Sequence, residues 1–206
     1  MTLRLQGTKL GKYAKGFDQV VVHPEALMEP LKRMKPTTVF VESMGDVFHK
    51  DVPEEFILQV FDVMNCCPQH QFQVLTKRSE RLAEISPLVT WTKNIWAGVT
   101  VENADYVHRI DDLRQTGAHV KFLSLEPLLG PIPVLNLNGI DWVIVGGETG
   151  PGARAMEPEW VMDLRDQCIR SKVAYFFKQW GGFGKGSHER LLDGRIWDQM
   201  PQVDER

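Results

Sequence analysis

The chain has 206 residues, 43% of them hydrophobic and 25% charged, with a formal net charge of −3. That is enough chain for one domain with its own core, and the weakly acidic balance excludes an overall basic field drawing the protein to nucleic acid or membranes. No apolar run reaches the ~18–20 residues that span a bilayer, and three cysteines without a CxxC spacing exclude a disulfide framework, so a soluble protein of the reducing cytoplasm, with no membrane partner, is expected.

Along the chain, MTLRLQGTKLGKYAKG contains no apolar signal core. A first strand is expected at FDQVVV (17–22) and a second at TVFVES (38–43), which ends on Glu42 and Ser43. SMGDVFHKD then brings Asp46, His49 and Asp51 together. These are metal-ligand types, but no HxH or HxxxH pair accompanies them, and Asp51 with Glu54 reads as a capping pair for the next helix, so no metal is expected. In PEEFILQVFDVM, Phe56, Ile57, Val60, Phe61 and Met64 share one helical face. Cys66 and Cys67 follow at the helix end, and with Cys168 they form no cluster motif.

FQVLT (72–76) is a strand followed by Lys77 and Arg78. Two cations at a helix start oppose its dipole; an anionic ligand would relieve this, and plain solvation is the alternative. IWAGVT (95–100) is a strand leading to Glu102, with a helix through Ala104, Val107, Ile110 and Leu113. VKFLSLE (120–126) ends on Ser124 and Glu126. WVIVGG (142–147) enters a glycine-rich turn, GGETGPGAR, and a helix through Pro158 carrying Trp160, Val161, Leu164 and Cys168. VAYFFKQW (173–180) ends on Lys178, Gln179 and Trp180. GGFGKGSH (181–188) fails the phosphate-loop spacing GxxxxGK[ST], so 181–206 reads as an irregular cap on a single domain covering 1–206.

Strands and helices alternate, and the strands are near-continuous apolar runs of the kind buried on both faces. The pattern predicts an α/β fold, a partial or complete (β/α) barrel of about seven parallel strands, with an open doubly wound sheet as the alternative. Ligands bind such folds at the carboxyl ends of the strands, where nearly every predicted strand carries a polar residue. The candidate binding residues are therefore Glu42, Lys77, Glu126, Gly146, Gly147, Glu148, Arg154 and Lys178. Gly146 and Gly147 allow close approach, Glu148 suits an amine or ribose hydroxyl, and Arg154 suits a carboxylate or phosphate. An ordinary turn with a surface salt bridge is the competing reading of GGETGPGAR.

TVFVESMGDVFHKDVPEEF, FQVLTKRSERL, IWAGVTVEN, VKFLSLEPLLGPI, DWVIVGGETGPGARAMEPEWV and YFFKQWGG together resemble, from about residue 3 to 201, a family of phage and bacterial proteins of unknown function. That family has a barrel of the radical-SAM type. The resemblance implies S-adenosylmethionine as ligand and a [4Fe–4S] cluster held by a three-cysteine segment ahead of the first helix. MTLRLQGTKLGKYAKGFD resembles the region just after those cysteines, so the cluster ligands are expected upstream of Met1. The residues written here supply no such segment. In radical-SAM enzymes a GGE motif early in the barrel meets the methionyl amine, whereas Gly146, Gly147 and Glu148 fall on the next-to-last predicted strand. Three function classes follow: a barrel binding S-adenosylmethionine or a related nucleotide; a non-catalytic phage protein engaging a host protein or nucleic-acid complex; and a nucleic-acid-modifying enzyme. In the last, Lys77, Arg78, Lys178 and Lys185 would track phosphates while Trp180 stacks on a base.

Overall fold

Six of the apolar runs pair into one parallel sheet. In the computed structural model, which describes residues 20–41, 45–184 and 186–202, the strands are β1 (Thr38–Val41), β2 (Gln71–Thr76), β3 (Ile95–Thr100), β4 (Lys121–Leu125), β5 (Trp142–Gly146) and β6 (Ala174–Gln179). They lie in sequential order and every neighbouring pair is parallel. Right-handed crossovers between sequential strands place the connecting helices on one face and leave the other face free. The sheet curls into a half-barrel. The expected strand at 17–22 does not appear in its described part, 20–22, and its remainder lies outside the described residues.

The helices are two short turns, α1 (Pro24–Leu27) and α2 (Glu29–Lys32), then α3 (Glu54–Asn65), α4 (Ser79–Ile85), α5 (Arg109–Arg114) and α6 (Pro158–Ser171). Ile57, Val60, Phe61 and Met64 of α3 are buried, as the 3.6-residue period requires. They join Ile110 and Leu113 of α5, and Val161, Leu164 and Cys168 of α6, in one core with Phe72, Val74, Val99, Leu123, Val143 and Phe177 of the sheet. Pro158 opens α6, where its missing N–H costs nothing. Lys172 closes α6 in the left-handed region at φ 57°, with the Val173 N–H returning to the Cys168 carbonyl at 3.0 Å.

Two local expectations are corrected. Asp51 does not cap α3: Pro53 holds the capping position and no side chain bonds the helix start. Arg81 donates to the carbonyls of His49 and Val52 and fixes the loop so that the helix begins at Glu54, beyond the reach of Asp51 as a cap, and Asp51 pairs with Lys50 instead. The helix expected through Ala104 to Leu113 is divided into a 3-10 turn (Ala104–Tyr106) and α5, with the Asn103 side chain accepting from the Asp105 N–H at 2.9 Å. The tail is more regular than expected. It forms an antiparallel hairpin, β7 (Leu191–Leu192) and β8 (Arg195–Ile196). Beyond it the chain runs along the outer edge of β6, where the Phe177 N–H donates to the Trp197 carbonyl and the Gln199 N–H to that of Tyr175. No helix among the described residues is long and apolar enough to cross a membrane.

Candidate functional site

The free face of the half-barrel is concave, and alternation along each strand decides what lines it. Trp96, Val120, Phe122 and Trp142 form a separate buried cluster there, with Leu75, Ile144, Ala174 and Phe176 packed against it. Trp142 is the hub, with its ring 5.8–6.1 Å from those of Trp96, Phe122 and Phe176. Gly98 lies opposite Phe122 in the ladder, and a Cβ there would overlap the Phe122 ring. The glycine thus lets the phenyl ring lie flat across β3. Above this aromatic floor is a cavity of about 200 Å³. Phe40, Leu75, Phe122, Ile144 and Phe176 supply its apolar wall, and Gln73, Ser124, Glu126 and Lys178 its polar groups.

Glu126 and Lys178 meet at the mouth. The Lys178 ammonium donates to both carboxylate oxygens at 2.9 Å, with the two side chains 23% and 49% exposed. Gly146 makes room for this pair: its missing Cβ would sit 3.3 Å from the Glu126 carboxyl carbon.

The other rim charges are matched within the protein. Glu102, buried beside β3, accepts from Lys77 on one oxygen and from Arg109 on the other at 2.9 Å. Arg109 also donates to the Thr100 carbonyl at 2.8 Å and lies over the Tyr106 ring. Asp46 accepts from the Thr76 hydroxyl, the Lys77 N–H, the Arg78 guanidinium and the Phe48 N–H. The anion expected beside Lys77 and Arg78 is therefore supplied by the chain's own carboxylates. Asp46 is too fully engaged to serve a metal with His49, and no group of three His, Cys, Asp or Glu suited to a metal occurs among the described residues.

The GGETGPGAR turn has two roles. Glu148 accepts from the Arg154 side chain at 2.7 and 3.0 Å and from its N–H at 3.0 Å. This two-pronged contact holds the Glu148 carboxyl at about 2, below its ordinary 4.5. Gly147 is a backbone crossing point, since a Cβ there would overlap the Trp180 carbonyl. The Gly182 N–H donates to the Glu148 carbonyl at 2.7 Å, and the Gly150 N–H to that of Gly182 at 3.0 Å, lacing this turn to the C-terminal glycines.

Of the residues singled out in the sequence, Glu126, Gly146 and Lys178 converge on the cavity. Lys77 belongs to the neighbouring Glu102 cluster, and Glu148 and Arg154 form their own pair on the turn beyond β5. Glu42 and Lys185 lie outside the described residues. Trp180 is half-buried: its ring packs on Phe177 at 4.9 Å and its N–H donates to the Leu191 carbonyl. Gln73 and the phenylalanines carried no sequence signal beyond strand alternation, because side chains in mid-strand look like core until the sheet's free face is known.

A larger groove of about 690 Å³ opens at the other end of β5 and β6, lined by Ile140, Asp141, Ile169, Lys172, Met200 and Pro201 among others. It is the weaker candidate. It faces the amino ends of the strands, and its one carboxylate, Asp141, is already engaged by the Lys121 N–H at 2.7 Å. Cys66 and Cys67 lie near that end too, where the Cys67 carbonyl accepts from Asn94 just before β3. Cys168 lies on the buried face of α6, and burial pushes its thiol up to about 12.

A family model described as a protein of unknown function, DUF5131, matches residues 1–201. No curated protein and no solved structure matches the chain.

Proposed function

The chain belongs to the DUF5131 family of proteins of unknown function, and we propose that its half-barrel binds S-adenosylmethionine or a related zwitterionic nucleotide on the concave face. One observation carries this reading: an ion pair, Glu126 with Lys178, stands at the mouth of an aromatic-lined cavity. An amino-acid group has the two charges needed to enter such a pair. Its ammonium takes the Glu126 carboxylate and its carboxylate takes Lys178, so one ion pair becomes two. A half-exposed pair contributes at most ~1 kcal/mol, and parting it is inexpensive. A sulfonium above phenylalanine faces gains a further cation–π attraction. The cavity of about 200 Å³ is smaller than the ~300–1,000 Å³ usual for drug-sized ligands. One end of the ligand is seated in it and the rest lies along the open mouth.

The sequential order of six parallel strands is consistent with the radical-SAM type of partial barrel. A [4Fe–4S] cluster finds no ligand set among the described residues: Cys66 and Cys67 stand toward the opposite end of the sheet and Cys168 is enclosed in the core. No radical step is assigned to these residues. Their part is to bind and orient the ligand and to keep its charged end paired. The phosphate-tracking alternative is less well supported, because Lys77 and Arg78 already face Glu102 and Asp46.

Calorimetric titration with S-adenosylmethionine tests the reading. Glu126→Gln and Lys178→Met should each weaken binding at least about tenfold, the loss expected for a hydrogen bond to a charged group. No heat at millimolar ligand, or affinity unchanged from the unsubstituted chain in both variants, overturns it.

A further inference from the structure

Two polar side chains sit among the apolar walls of the cavity. Gln73 on β2 and Ser124 on β4 are 9% and 5% exposed, and both line the cavity. Neither side chain hydrogen-bonds any described residue, and neither is closed off from solvent without a partner. The primary amide of Gln73 offers a donor and an acceptor side by side, and the Ser124 hydroxyl offers either. Around them the wall is flat and aromatic. Phe122 is laid down over Gly98, Phe176 borders the cavity from β6, and Phe40, 45% exposed, borders it from β1.

We propose that this cavity holds the flat ring of a nucleobase, with Gln73 and Ser124 reading its polar edge and the phenylalanines lying against its faces. An amide paired with adjacent donor and acceptor atoms on a base edge is a standard reading contact, and stacking on aromatic rings tolerates any base. A purely apolar ligand would leave the Gln73 amide and Ser124 hydroxyl without partners, which costs affinity. The ring has two sources, the adenine of S-adenosylmethionine or the base of a separate nucleoside, and the recognition chemistry is the same for both. The first source rests on the function proposed above; the second does not need it.

The test is a set of titrations of the full chain followed by tryptophan fluorescence, since Trp142 packs against Phe122 and Phe176. Adenosine, cytidine, uridine and guanosine are titrated alongside S-adenosylmethionine and methionine. At least one nucleoside should saturate the signal. Gln73→Leu should weaken that nucleoside about ten- to hundredfold, and Ser124→Ala should weaken it less, with melting temperatures confirming that both variants are folded. Methionine affinity should be unmoved by either change. Competition then assigns the source: adenosine that displaces S-adenosylmethionine marks the ring as that ligand's own, and additive binding marks a separate nucleoside. Both support the proposal. No nucleoside binding, or affinities unchanged in both variants, overturns it. S-adenosylmethionine bound through Glu126 and Lys178, with no nucleoside affinity that responds to Gln73→Leu, sinks this inference alone. Nucleoside binding that depends on Gln73, with no response to Glu126→Gln or Lys178→Met, sinks the earlier reading alone.

Discussion

Gly147 and Trp180 meet backbone to backbone, and a Cβ on Gly147 would overlap the Trp180 carbonyl oxygen. The contact joins the end of β5 to the end of β6 and sets the path of the C-terminal glycines past the mouth. Gly147→Ala forces main chain rather than a flexible side-chain tip to move, and should cost about 3 kcal/mol or more, read as a lower urea midpoint. Gly146→Ala meets only the Glu126 side chain at 3.3 Å. It should cost far less stability while displacing the ion pair.

Glu102 is predicted to be a structural acid. Buried at 7% exposure between Lys77 and Arg109, it leaves an unmatched buried guanidinium when removed. Glu102→Ala should destabilise by about 3 kcal/mol. Lys77→Ala removes a half-exposed partner and should cost under ~1 kcal/mol. Paired chemical denaturation curves check the contrast. Equal effects would mean that Lys77, not Arg109, is the essential counter-charge.

The Glu148 carboxyl should stay ionised far into acid. Its folded value of about 2 lies below the ordinary 4.5, and the side-chain and backbone hydrogen bonds of Arg154 are the cause. The direction is that of a depressed acid: the pair's contribution is fully present above about 4.5 and is lost as pH falls toward about 2. Carboxyl-carbon NMR titration should find Glu148 among the last glutamates to protonate. In Arg154→Ala it should return toward the ordinary value.

Thiol accessibility checks the packing of the helical layer. Cys66 is exposed, whereas Cys67 and Cys168 are buried. An aromatic disulfide reagent should label one thiol quickly in the folded protein and the other two only on unfolding. Fast labelling of Cys168 would contradict the enclosed position of α6 on the sheet.

The parallel sheet was legible because its central strands are largely apolar and buried, as in 95–100 and 142–146, and alternate with helical segments. Glu126, Gly146 and Lys178 were legible as strand-end residues, since parallel strands with helical returns must place their carboxyl ends on one edge. Their mutual pairing was not, because sequence does not say how far a curled sheet brings β4 toward β6. Gln73 was hidden for the opposite reason: it lies mid-strand, where burial is the default reading. The Asp51 cap failed because capping depends on where the loop is pinned, and Arg81, thirty positions away in the chain, does the pinning. Glu148 and Arg154 were seen as a pair of binding groups, yet at six residues' separation on a tight glycine turn they reach each other first.

Backbone amide shift mapping during titration with S-adenosylmethionine tests the central claim most directly, because it locates the ligand as well as detecting it. Saturable shifts are predicted at Gln73, Gly98, Ser124, Gly146 and Lys178 on the concave face, with Ile140, Ile169 and Lys172 at the other end of the sheet unchanged. Shifts confined to that far groove, or none at millimolar ligand, would contradict the account.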